Sequence, residues 1–329
     1  MIRRVFMTRI QDGFLVPVVI LTVCLFTSCS YAATEFVAQD SEDIGRGSEP
    51  FLPYPLVGPV SPNGYQAILA TKDMGAGKNR FAFVLISKEG FVNSEVANLV
   101  VYKAETRISE QRHEARLLNW IVPRRGSYVS YVDFAQKGEW KAVIDFRHDG
   151  SQQSVELSFQ VREDTIAPAV GDAAPNVHSK TLSDVDNIQE LSTGMVKEPE
   201  LYRYSLVETV NSGRPTVVTF TSPAFCRNEV CGPQVDILKE MYEELGQQAY
   251  FVHVEVFDNP EELQGDLDLA RFSETFQKWN LPSLQWTFVV DCEGIISDRF
   301  EGFATSRELR SALMKLSQNT TASRHCFSG

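Results

Sequence analysis

Two thiols separated by four residues are the part of this sequence best suited to chemistry. They lie in Phe225-Cys-Arg-Asn-Glu-Val-Cys231-Gly-Pro233. The β-branched run Pro215 to Thr221 precedes them and reads as a buried strand. After them Val235, Leu238, Met241, Tyr242 and Leu245 recur at helical spacing, and Pro233 suits a first helical turn. Cys226 and Cys231 therefore fall at or just before a helix N-terminus. There the helix dipole and free N–H groups favour the thiolate, the form that attacks disulfides. Position after the strand makes Cys226 the attacking thiol and Cys231 the resolving one; the tripeptide Cys231-Gly-Pro argues for the reverse.

Few other residues carry chemistry. His253 and Glu255 alternate with Val252, Val254 and Val256 on a strand and share its opposite face. A buried carboxyl there could relay protons for the thiols, or the two residues could be a satisfied core pair. The chain has six cysteines. Cys292 and Cys326 are left over once Cys24, Cys29 and the central pair are set aside. They are expected to form a structural disulfide pinning the C-terminal tail, or else to be two unpaired thiols. No cofactor is expected and no metal is assigned, since the sequence holds no phosphate loop, no Ser-His-Asp pattern and no His-x-x-x-His.

The elements that must position the pair run as strand 215–221, helix 233–245, strand 249–257, helix 268–279, strands 286–291 and 295–300, and helix 305–316, with a short helix near Leu206. This is a βαβ unit followed by a hairpin and a last helix. Val170-Gly-Asp-Ala-Ala-Pro175, Thr216-Val-Val-Thr-Phe220 leading into Ser222-Pro-Ala-Phe-Cys226, and Trp286-Thr-Phe-Val-Val-Asp-Cys-Glu-Gly294 together resemble the thioredoxin superfamily, especially its exported, membrane-anchored TlpA-type members. The resemblance covers about residues 168–316. It implies a thiol–disulfide oxidoreductase acting on dithiols or disulfides of exported proteins, served by a membrane redox donor. Three departures stand out. Four residues, not the usual two, separate the cysteines. Gln285 stands where the family has a cis-proline, with Pro282 three residues earlier. Thr219 stands where thioredoxin has a buried aspartate, which leaves Glu255 as a substitute proton acceptor. Copper-delivering relatives of the Sco type also vary this spacing, so a metallochaperone using the two thiolates and His253 is an alternative. A redox-inert binding module is another.

The rest of the 329 residues sets the context. Residues 1–33 read as an export signal: Arg3, Arg4 and Arg9, then an apolar stretch from Phe14 to Phe26 that is short for a membrane span. Phe26-Thr-Ser-Cys29 approximates a lipobox, which would make Cys29 a lipid anchor and the protein a membrane-attached lipoprotein facing the periplasm or cell exterior. Ser30-Tyr-Ala32 offers ordinary cleavage instead. A formal net charge of −12 gives no footprint for nucleic acid. Residues 34–61 read as a tether. Residues 62–162 read as an all-β immunoglobulin-like sandwich, with strands at Gly64 to Ala70, Arg80 to Ile86, Leu99 to Tyr102, Tyr128 to Phe134, Trp140 to Phe146 and Val155 to Val161, and a short helix at Glu105 to Leu118. Gly126-Ser-Tyr-Val-Ser-Tyr-Val-Asp-Phe-Ala-Gln-Lys-Gly-Glu-Trp140 faintly resembles YtkA-like exported sandwich domains. Residues 163–200 read as a linker and lead-in, 201–318 as the α/β thioredoxin-like domain, and 319–329 as the tail.

Overall fold

Alternating apolar residues drive the first half of the chain into strands, and the computed structural model describes residues 56–121, 123, 125–225 and 230–318. The signal, the tether up to residue 55, Cys29, Cys226, the tail and Cys326 lie outside the described residues. The strands are β1 (Leu56–Val57), β2 (Gln66–Leu69), β3 (Gly77–Ser87), β4 (Gly90–Phe91), β5 (Val96–Lys103), β6 (Gln111–Asn119), β7 (Gly126–Phe134), β8 (Gly138–His148) and β9 (Ser151–Val161). Period-two burial is clearest in β9, where Gln153, Val155, Leu157, Phe159 and Val161 point inward and the residues between them outward.

Among the described residues, these strands form one antiparallel sheet in the order β1-β2-β3-β7-β6-β5-β8-β9, with β4 paired to β3. The expected sandwich of two sheets is replaced by one hydrogen-bonded path that curls toward closure. Its ends approach: Asn63 Nδ2 donates to Gln153 Oε1 at 2.9 Å, and a Cβ on Gly58 would collide with the Glu156 carbonyl oxygen. Phe81, Phe83, Tyr128, Phe134, Trp140 and Phe159 fill the enclosed core. The helix expected at Glu105 to Leu118 is instead β6. His113, Ala115 and Leu117 share one face and Arg112, Glu114 and Arg116 the other, and pairing with both β5 and β7 outweighs the local helical preference of these residues.

The second half holds α1 (Leu206–Thr209), β10 (Thr216–Thr221), α2 (Cys231–Leu245), β11 (Tyr250–Glu255), α3 (Pro260–Leu263), α4 (Glu274–Lys278), β12 (Trp286–Val290), β13 (Ile296–Glu301) and α5 (Ser306–Gln318). The helix expected over 268–279 is broken into a 3-10 turn at Leu267–Leu269 and α4, which Ser273 caps through Phe276 N. The sheet order is β11-β10-β12-β13, with β11 parallel to β10 and β12 and β13 antiparallel. Val217, Phe251 and Val289 pack beneath α2 and α5; Val218, Phe220, Val252, Val254 and Phe288 pack on the opposite side with Trp279.

Parts of residues 163–200 pack onto the second half. Ala173 bridges to Ile295, and Leu191 and Ser192 are buried. The described residues all belong to one compact unit, residues 40–329. Within it the two sheets are joined by buried charges. Arg299 Nη2 lies 2.7 Å from Asp73 Oδ2, and Arg80 Nε lies 2.8 Å from Glu308 Oε1. Glu301 accepts from the backbone N–H groups of Lys72 and Asp73 at 2.6 and 2.9 Å.

Candidate functional site

β10 ends at Thr221, and a 3-10 turn, Pro223–Phe225, carries the chain onward. Cys226 follows, outside the described residues. Cys231 is the first residue of α2, 4% exposed, and is disulfide-bonded. Cys292 is disulfide-bonded too. The two do not bond to each other. β12 runs antiparallel to β10, so Phe220 faces Trp286 at one end and Thr216 faces Val290 at the other. Cys231 follows the first end and Cys292 the second, roughly 17 Å apart along the strand, whereas disulfide Cα atoms lie within about 7 Å. Their partners lie outside the described residues.

Under the N-terminal end of α2 the sheet is polar where elsewhere it is apolar. Thr219 pairs with His253 on one side and Thr287 on the other, and Thr221 pairs with Glu255. All of these residues are buried. Thr219 and Thr287 share a hydrogen bond of 3.0 Å. Next to Trp286, Gln285 is 6% exposed; its carbonyl accepts from Gly302 N at 3.0 Å. Gln234, one turn into α2, accepts from Ala304 N at 2.8 Å. Among the described residues the side chain of Gln285, Nε2 of Gln234 and Oγ1 of Thr221 have no hydrogen-bond partner. Such groups are uncommon in a folded interior.

His253, 1% exposed, uses both ring nitrogens. Nδ1 lies 2.6 Å from the Tyr202 hydroxyl and Nε2 lies 3.1 Å from the Thr221 carbonyl oxygen. The carbonyl can only accept, so Nε2 carries the proton and Nδ1 accepts from Tyr202. Burial lowers the imidazole to about 4 and raises the Tyr202 phenol, so both are neutral.

Glu255 is held by the segment that follows Leu191. Thr193 donates to its Oε2 twice, from N at 2.8 Å and from Oγ1 at 2.9 Å, and Val256 N donates to Oε1 at 3.0 Å. Burial is the largest influence and pushes the carboxyl up to about 7, against these bonds, which lower it. A cavity of about 200 Å³ is bordered by Glu255, His253, Tyr202 and Ser273. The structure thus puts Glu255 within two hydrogen bonds of the turn before Cys226. Sequence reading missed Thr193 and Ser222, because nothing in local pattern ties residue 193 to strands sixty residues away.

No family model matches the chain, and no curated protein matches it. Among solved structures, it is similar to the solution structure of a candidate protein disulfide isomerase from Bacteroides thetaiotaomicron, at 13% identity and a TM-score of 0.32, covering 48% of this chain and 93% of that one. It is also similar to a thiol:disulfide interchange protein of the thioredoxin family from Chlorobium tepidum, at 13% identity and a TM-score of 0.31, covering 45% and 98%. At such scores neither carries an argument. The thioredoxin-like arrangement of the second half rests on its own strand order and directions.

Proposed function

We propose that this chain is an exported thiol–disulfide oxidoreductase of the thioredoxin type, working through Cys226 and Cys231. The observation that carries the reading is the place of Cys231: buried, disulfide-bonded, and first in the helix that follows the central strand. A sulfur so enclosed suits the resolving role, which leaves Cys226 to meet the client. The Cys226 thiolate would attack a client disulfide and expel one client sulfur as thiolate. Cys231, giving up its proton, would then attack the mixed disulfide and release the second. The client gains two electrons and two protons, and the pair is left oxidised; the reverse sequence oxidises a client dithiol. Clients would be other exported proteins, a membrane donor would restore the pair, and Cys29 would tether the protein through lipid. Cys292 and Cys326 would hold the tail.

The copper-delivery reading loses its imidazole, since both nitrogens of His253 are engaged. The reading is tested by redox titration of protein lacking the signal segment. A two-electron couple should be present, and should vanish in Cys226→Ser and in Cys231→Ser. A pair unresponsive at any potential would make the fold a redox-inert binding module.

A further inference from the structure

We propose that Arg80, a residue of the first sheet, is a positioning residue for the dithiol end of the second: it holds residues 301–304, and through them the first turn of α2, where Cys231 lies. In treating that end as a reaction site this rests on the oxidoreductase reading above; it adds a role for the first sheet.

The link is one short segment bonded on both sides. Arg80, on β3, is buried. Its Nη1 donates to the Glu301 carbonyl oxygen at 3.2 Å and its Nη2 to the Phe303 carbonyl oxygen at 3.0 Å. The N–H groups of the same segment go the other way. Gly302 N donates to the Gln285 carbonyl oxygen at 3.0 Å, and Ala304 N donates to Gln234 Oε1 at 2.8 Å. The Glu301 carboxyl makes a second tie of this kind. Its Oε2 accepts from Lys72 N and Asp73 N, while its Oε1 accepts from Ser283 Oγ at 3.0 Å. Residues 301–304 are therefore a crossbar. The first sheet grips one side, and the other side meets α2 and the residues that precede β12.

The far end of the crossbar lies where the thiol chemistry is placed. Gln234 follows Cys231 by three residues, so the two share a face of α2 on successive turns, and both are buried. Gln285 precedes Trp286, which pairs with Phe220. It stands level with Thr221, where the chain leaves β10 for the turn before Cys226.

Arginine suits the near end. Its donors form a rigid planar fork, so bonds to two carbonyls fix the spacing between them. The fork is itself anchored: Nε donates to Glu308 Oε1 at 2.8 Å, and Glu308 Oε2 accepts from Thr305 N at 3.0 Å at the start of α5. A lysine here would keep the charge opposite Glu308 but lose the fork. The crossbar would then be held less firmly, Gln234 would lose its fixed partner, and the first turn of α2 would open more readily.

The test is the rate at which dithiothreitol opens the Cys231 disulfide, read by alkylation and peptide mass spectrometry well below the melting temperature of every variant. Amide exchange at Ala304 and in the first turn of α2 is measured on the same protein. Arg80→Lys should speed opening about fivefold, the worth of one hydrogen bond, and should raise exchange at both places. Gln234→Leu cuts the same link from the α2 side and should do likewise; adding Arg80→Lys to it should change little more. Asp73→Ala weakens the junction elsewhere and should leave both readings as they are, which separates positioning from general loosening. Arg80→Lys with the natural rate and exchange would overturn the proposal, as would equal acceleration in Asp73→Ala. Should Arg80→Lys not fold, Gln234→Leu with an unchanged rate would overturn it instead. A chain without a redox couple would lose the oxidoreductase reading, yet its Cys231 disulfide would still open, and the dependence on Arg80 would still decide the positioning role.

Discussion

The Tyr202 hydroxyl sits 2.6 Å from Nδ1 of His253, and burial keeps this imidazole uncharged beside a carboxyl that burial likewise drives toward neutrality. Two titratable groups two residues apart on β11 are thus both stripped of charge, in opposite senses: one resists gaining a proton and the other resists losing it.

Their effects on stability oppose each other. Glu255 retains a proton that the unfolded chain gives up near 4.5, so its contribution is whole below that pH and is lost as pH rises through about 7. His253 refuses a proton that the unfolded chain takes up near 6.5, so its contribution is whole above that pH and is lost as pH falls through about 4. Each is worth roughly 3 kcal/mol at most. Between pH 4.5 and 6.5 they should cancel. Urea denaturation of Glu255→Gln should show stability climbing with pH across that window, and His253→Gln should show it falling. Parallel slopes in the two variants would contradict the assignment.

Client trapping assigns the thiols. With Cys231 enclosed, Cys231→Ser should accumulate mixed disulfides on Cys226, seen as reductant-sensitive bands on non-reducing gels. Bands confined to Cys226→Ser would invert the roles.

The proposed bridge between Cys292 and Cys326 is open to a direct test. α5 runs from the dithiol end of the sheet back toward the β12–β13 hairpin, where Lys315 Nζ lies 3.1 Å from Asp298 Oδ1. Cys292 is in that hairpin and is disulfide-bonded. Peptide mapping without reduction should link Cys292 to Cys326. Alkylation of Cys326 in the native oxidised protein would remove the bridge.

The junction between the sheets should be sensitive to a single deletion. Removing one partner of a buried ion pair costs about 3–5 kcal/mol. Asp73→Ala leaves Arg299 without its carboxylate and two backbone N–H groups, of Ile166 and Ala167, without their acceptor. Its denaturation midpoint should fall sharply. Lys315→Ala, which breaks an exposed pair, should be near neutral.

Much of this architecture was legible beforehand because side-chain periodicity survives in a single sequence. β7, β8, β9 and β10 to β13 lie close to where alternation places them, and α2 follows the spacing of Val235, Leu238 and Met241. The face shared by His253 and Glu255 was readable for the same reason. What failed was whatever depends on distant partners. β6 carries charged residues that suit a helix, and only its neighbours make it a strand. A continuous sheet and a two-sheet sandwich have the same alternation, so pairing order was hidden. Asp73, Arg80 and the half-buried Thr193 look like surface residues in sequence, and their contacts depend on elements far along the chain.

The Asp73–Arg299 contact spans 226 residues of sequence, and this bears on the order in which the molecule can be completed. Synthesis at 5–20 residues per second leaves roughly 10–50 s between the two residues. Through that interval Lys72, Asp73 and Arg80 have neither β13 nor α5 to meet. The dry, charge-matched junction can close only when the last helix arrives. A chain cut short before Glu308 would leave Arg80 without its carboxylate partner and that end ionic and solvated. That exposed end would distinguish abandoned chains from whole ones.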